Sequence, residues 1–179
     1  AHDAALRGDF SPKDVDSGWE ILFRALCHGA GLSNAPPHPD QARFLVSQGH
    51  VEAAVLLCAC AARSAFARFD LDELLQWSRL SDSLTHVSTE AMLRASLTSS
   101  WVVLIQGHLP EQDLQALSKQ ARAEKLADVV VDIVTTRALS TLQSQGELSV
   151  ALEDARRATR MAQSESLREC QYFAGWVLA

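Results

Sequence analysis

Apolar residues in this chain recur every three or four positions, and no segment alternates apolar and polar residues over a useful length. The pattern predicts helices throughout. Asn-Gly and Asp-Gly pairs, the strongest short signal for a β-hairpin, are absent. Val15, Trp19, Leu22, Phe23 and Leu26 share one helical face; Ser11, Pro12 and Asp14 start that helix, and Gly29 and Gly31 stop it. Residues 11–31 therefore form a leading helix, preceded by a frayed arm at 1–10 that carries no period. Pro36, Pro37 and Pro39 make 34–40 an extended connector, and the hairpins begin at Gln41.

A short helix with Phe44 and Leu45 turns at Gly49 into a long one carrying Val51, Ala54, Val55, Cys58, Ala62 and Phe66. Asp70 and Glu73 form a capping-box-like start for a helix with Leu74, Leu75, Trp77 and Leu80, followed by a polar bend over 81–88. Ser88 and Glu90 open the next helix, which holds Leu93, Leu97, Trp101, Leu104 and Ile105 and ends at Gly107. After Pro110 and Glu111 comes a polar helix with Leu114 and Leu117, then the most apolar one, over 125–144, which the pattern buries deepest. The chain turns at Gly146 into a helix with Leu148, Ala151, Leu152, Ala155, Ala158 and Ala162. A final helix from Ser166 carries Leu167, Cys170, Phe173, Ala174, Trp176 and Val177.

Two of these stretches match at identical spacings about a hundred residues apart: Leu45, Gly49, Ala54 and Ala61 against Leu142, Gly146, Ala151 and Ala158. They read as an internal repeat, with a glycine between helices and small residues where the second helix must approach its neighbours. A third frame starts in the same way at Val103 and Gly107, but its alanines, Ala116 and Ala123, arrive four residues late.

Composition narrows the class. With 47% hydrophobic and 21% charged residues in 179, the chain is a single globular domain over 1–179. Sixteen basic against 22 acidic residues give −6, the wrong sign for phosphate attraction, which argues against direct nucleic-acid contact. No apolar run is long enough to span a bilayer, Asp132 interrupting Val129–Val134, and no signal peptide is apparent, so no membrane partner is expected. Cys27, Cys58, Cys60 and Cys170 lie in apolar helical patterns, as reduced core thiols of a cytoplasmic protein do. The missing initiator Met and the apolar end at 173–179, with no partner helix after it, lead us to expect a piece of a longer chain.

Candidate chemistry is sparse. Cys58 and Cys60, two apart on a helix, point to opposite faces and cannot share a metal. Cys27 beside His28 has no activating signature. His2, His28, His38, His50, His86 and His108 are scattered with no i, i+4 pair, and read as surface or capping residues. Phosphate-loop, dinucleotide and nucleophile-elbow motifs are absent. Asp70, Asp72 and Glu73 suit a helix first turn without catalysis. Arg156, Arg157 and Arg160 form the only compact basic cluster, Glu153 offsetting Arg157; they are a solvated face or a site for an acidic partner. Trp19, Trp77, Trp101 and Trp176 lie in apolar stripes, where core and interface roles both remain open. Asp132 within its Val-rich helix is the one ionisable group suggesting a buried catalytic site, and it would need a His or Arg beside it in a closed cavity. No catalytic, cofactor-binding or metal-binding residue, and no cofactor, is assigned.

The turn glycines and paired alanines resemble tetratricopeptide repeats. The family's large-residue positions on the first helix read His38, Gln41, Ala42 and Leu45 in one frame and Thr135, Ala138, Leu139 and Leu142 in the other, so the repeats are degenerate. The block from His50 to Leu114, especially residues 61–75 and Trp101–Gly107, is similar to the helical-repeat region that follows the ATPase in large bacterial LuxR-type regulators. The resemblance implies an all-α, right-handed solenoid of antiparallel hairpins with about nine helices. It also implies a non-catalytic interaction or effector-sensing module of a bacterial signalling protein, its concave face holding a peptide, a domain of the parent chain or a small effector. The alternative is a structural or oligomerisation segment without a small ligand, a homodimer pairing exposed Phe173 and Trp176 of the final helix.

Overall fold

In the computed structural model, which describes residues 20–22, 24–25, 36–84, 88–108 and 111–178 (the side chains of 111–113 and 169 excepted), every regular element is helical. The order is α1 (Pro39–Ser47), α2 (Val51–Ala67), α3 (Leu71–Asp82), α4 (Thr89–Ile105), α5 (Glu111–Ala123), α6 (Ala127–Gln143), α7 (Leu148–Ser164) and α8 (Arg168–Leu178). The described residues within 20–25 are helical too. The chain is thus all-α, with close to the expected number of helices. The arm at 1–10, most of the leading helix with Trp19 and Cys27, and the turn residue Pro110 lie outside the described residues.

Helix starts follow local chemistry. Pro39, expected in the connector, instead occupies the first turn of α1, where a missing N–H is harmless. His38 caps that helix: its Nδ1 accepts from Asp40 N–H at 3.3 Å, while its own N–H donates to Gln41 Oε1 at 2.8 Å. Asp70 Oδ1 accepts from Glu73 N–H at 3.0 Å, but the reciprocal half of a capping box is not made. The Glu73 carboxylate is taken by Arg68 and by Trp77 Nε1. Ser88 Oγ caps α4 through Ala91 N–H at 3.1 Å.

Six helix ends share one turn. A residue at positive φ follows the helix, and the next N–H reaches back five residues, as His50 does to the Leu45 carbonyl and Leu126 to that of Ala121. Gly49 and Gly107 hold the left-handed position at φ 80° and 86°, but at the other four turns it falls to Phe69, Lys125, Gln145 and Ser166. Gly146 is therefore not the left-handed residue its alignment with Gly49 implies. It lies one position later, where a Cβ would come within 2.9 Å of Thr141 Cγ2 and 3.0 Å of the Thr141 carbonyl oxygen.

Consecutive helices pack as hairpins, and the even-numbered ones also pack on one another: α2 on α4, α4 on α6, α6 on α8, and α8 back on α2. These four run in the same direction. Arg94 meets Asp128 and, two turns on, Trp101 meets Thr136; Phe66 meets Phe173 and, one turn on, Phe69 meets Trp176. Of these four helices, α2, α4 and α6 are consequently buried on most sides, with Ala54, Ala61, Ala62 and Ala65 of α2 letting neighbours approach closely. Odd helices show a polar face outward. The internal space between α2, α4 and α8 is filled by aromatic rings, Phe66 stacked on Trp101 at 5.4 Å and Phe173 edge-on to both at 5.6 and 5.9 Å.

This layering changes the meaning of the apparent repeat. Gly49 leads from outer α1 into inner α2, whereas Gly146 leads from inner α6 into outer α7, so the two frames are not equivalent units. Leu45 is fully buried and Leu142 is 42% exposed, because the second turn is one residue longer and shifts the leucine by one position. The alanines do match as fourth and eleventh residues of their helices, and both pairs are buried. In α5 those positions are Leu114 and Ala121, also buried, while Ala116 and Ala123 are exposed.

Three substitutions separate these effects by thermal unfolding. Gly49→Ala introduces only left-handed strain and is expected to lose about 1 kcal/mol. Gly146→Ala is expected to lose more, since its new methyl group meets backbone. Lys125→Gly, at φ 59°, is expected to gain a few tenths to about 1 kcal/mol.

Candidate interaction surface

The inner layer carries most of the buried charge. From α2, Arg63 reaches Asp132 of α6, its Nε donating to Oδ2 at 2.8 Å and its Nη2 to the same oxygen. From α4, Arg94 donates through Nη1 to Asp128 Oδ2 at 2.6 Å and through Nε to Glu90 Oε1 at 2.9 Å. One turn above Asp132, Trp101 Nε1 donates to Thr136 Oγ1 at 2.7 Å, and that hydroxyl donates to the Asp132 carbonyl, also at 2.7 Å. Cys170 of α8 completes the contact, Sγ lying 3.8 Å from the Asp128 carbonyl oxygen.

Burial and pairing set the protonation of this seam. Desolvation raises the pKa of Asp132 despite the Arg63 guanidinium beside it, and its Oδ1 makes no hydrogen bond. Asp128 is also desolvated, yet Arg94 outweighs that penalty and holds its carboxyl below the usual range. Arg63 and Arg94, opposed by desolvation but facing carboxylates, are held more firmly protonated than a free guanidinium. Burial pushes the Cys58 thiol up to about 12, so it is no thiolate nucleophile at neutral pH.

Asp132 thus has the arginine neighbour that a catalytic role would need, but not the access. It is 1% exposed and Arg63 6%, under packed side chains. Three open clefts of about 460, 450 and 480 Å³ lie elsewhere: between α1 and α3, around Pro36–Pro39 and Trp77, and beside Leu22, Glu52 and Glu124. Among the described residues no three His, Cys, Asp or Glu side chains stand close enough to hold a metal ion. No helix among them is long and apolar enough to cross a membrane.

The outer surface is where apolar groups reach solvent. Phe173, expected to be exposed on the final helix, is buried between Phe66 and Trp101. Trp176 is 39% and Tyr172, one turn before it, 64% exposed. Phe69 adds a 63% exposed ring whose centroid lies 5.5 Å from Trp176, on a backbone at φ 56° that a bulky residue seldom adopts. Rings therefore run from Trp101 through Phe66 and Phe173 to the surface at Trp176 and Phe69. Trp77 and Trp101 resolve to core. Arg156, Arg157 and Arg160 are exposed on α7, and Glu153 forms no ion pair with Arg157. Asp154, beside that cluster, instead pairs with Arg137 of α6, 2.7 Å from its Nε.

No known protein family, curated protein or solved structure matches the chain. The sequence pattern singled out Asp132, Trp176 and the α7 arginines, but not Phe69, Tyr172 or the partners Arg63 and Arg94. Arg63 and Arg94 are each the only charged residue beyond the first turn of their helix, the one signal by which a buried cation could have been suspected.

The seam has a stability signature. Asp132→Ala leaves the Arg63 guanidinium buried without a partner and is expected to cost about 3–5 kcal/mol in urea unfolding. The double replacement Arg63→Met with Asp132→Leu is expected to recover most of that loss, because no uncompensated charge remains.

Proposed function

We propose that this chain is a non-catalytic interaction module: a tetratricopeptide-like right-handed array of helix hairpins serving a bacterial regulatory protein in the cytoplasm. Its partner is a protein or peptide, or another domain of the parent chain. The observation that carries this is the contrast between the helices α2, α4 and α6, whose rings and charges pair with one another, and a patch of Phe69, Tyr172 and Trp176 left to solvent beside α8. Aromatic side chains of this kind are favoured at interface centres, where they desolvate large areas at low entropic cost. Binding therefore falls on the α8 side rather than between the inner helices. Regulation would consist in differential affinity for two packings of the terminal hairpin, and would extend only as far as that difference.

A second class is favoured by the same Tyr172 and Trp176: a structural segment that pairs with another copy through α8, with no small ligand. Size-exclusion chromatography with light scattering over about a hundredfold range of concentration distinguishes them. The interaction module is expected to remain monomeric with and without Tyr172→Ser and Trp176→Ser. A dimer that these substitutions dissolve would transfer the assignment to oligomerisation.

A further inference from the structure

The α7–α8 hairpin exposes two stripes of unusual make-up. On α7, Arg156 and Arg160 stand one turn apart with Arg157 between them; on α8, Arg168, Tyr172 and Trp176 follow at four-residue spacing. None of these four arginines makes an ion pair with a described carboxylate, a state shared by Arg79 and Arg122, whereas Arg24, Arg43, Arg63, Arg68, Arg94 and Arg137 are paired. Like charges one turn apart work against their own helix, and here they gather in a protein whose net charge is −6. The two helices pack together, Gln171 Nε2 donating to the Ala162 carbonyl at 3.1 Å, so that both stripes belong to one hairpin.

We propose that this hairpin docks an acidic amphipathic segment of a partner protein, whose carboxylates meet the arginines and whose apolar side chains cover Tyr172 and Trp176. The inference rests on the interaction-module assignment and adds the chemistry of the partner. Charge complementarity selects it. A cationic segment would be repelled by four exposed guanidinium groups that have no ion-pair partner among the described residues, and a neutral one would add no counter-charge. Arginine also forms paired hydrogen bonds with carboxylates in a fixed geometry, so specificity as well as attraction is available. Phe69, in the turn after α2, backs the Trp176 ring.

The test is fluorescence anisotropy of the full chain with three labelled synthetic helical peptides. All have leucine at i, i+3, i+4 and i+7; the remaining positions are glutamate in one, lysine in the second and glutamine in the third. The glutamate peptide is expected to bind, more weakly as salt rises, and to lose about tenfold in affinity in the variant carrying R156E, R157E and R160E. The same variant is expected to gain binding of the lysine peptide. Circular dichroism checks its fold; should it unfold, the glutamine replacements R156Q, R157Q and R160Q are used, with the same expected loss. Equal binding of all three peptides, or none by the glutamate peptide, overturns the acidic partner while leaving an interaction module intact. Stronger binding of a short DNA duplex than of the glutamate peptide overturns it in favour of a nucleic-acid polyanion. If light scattering instead shows Tyr172 and Trp176 sealed in a stable homodimer, the interaction module itself fails.

Discussion

The inner helices α2, α4 and α6 are buried on nearly every side, and nearly every buried polar group they carry finds its partner within the layer, Asp132 Oδ1 and Ser140 Oγ excepted. That constraint organises the rest. Arg63, Arg94, Asp128, Asp132, Trp101 and Thr136 satisfy one another in order along the helix axes, and Thr98, Thr135 and Thr136 return their hydroxyls to carbonyls one turn back. Sliding α6 by one turn against both α2 and α4 would remove Asp132 from Arg63 and Thr136 from Trp101 at once. Each loss strands a buried polar group, a larger penalty than the net gain from the intact bond. The ion pairs are therefore better understood as setting register than as adding stability. The aromatic rings around Phe173 then close the layer from above.

This distribution explains how far the sequence could be read. Helix existence was legible because period and capping act locally: Ser88, Asp70 and the glycines at 49 and 107 perform the roles their chemistry suggests. The deep burial of the Val-rich helix was legible from Val129–Val134, but not its rank: α2 buries more residues, and Asp132, Thr135, Thr136 and Ser140 are polar groups buried in α6. What could not be read was which layer each helix joins. A glycine turn followed by small residues suits any close hairpin, entering the inner layer or leaving it, and so Gly49 and Gly146 looked like copies of one unit. Four turns use Phe69, Lys125, Gln145 or Ser166 in the left-handed position, where nothing local marks them. What these turns share is the bond from the following N–H back to the carbonyl five residues earlier. Glycine content alone therefore underestimates the regularity of the turns.

The candidate surface was legible to a similar extent and for a similar reason. Trp176 and the α7 arginines declare themselves by residue type, and their exposure follows from which face of α7 and α8 the Ala151, Ala155, Ala158, Cys170 and Ala174 contacts bury. Phe69 could not be placed beside Trp176 from sequence, because more than a hundred positions separate them and only the return of α8 to α2 brings them together. Asp132 illustrates the converse. An acid in an apolar helix raises the expectation of chemistry, yet here the neighbouring arginine serves to seal it in.

Closure of the inner layer also decides where a binding event could be felt. Along α2, α4 and α6 the seam ties each helix to the next through bonds whose loss strands charge, so a partner would have to overcome several such penalties to move them. α8 is held differently. It packs broadly on α7 and α6 but meets α2 mainly through rings, Phe66 with Phe173 and Phe69 with Trp176, contacts that can be remade in more than one geometry without leaving a charge unpaired. Trp176 belongs at once to that joint and to the exposed patch. A ligand covering Trp176 and Tyr172 would therefore act on the least strongly specified contact in the layer, and whatever preference it has between α8 docked and α8 shifted becomes the whole of its effect on the fold.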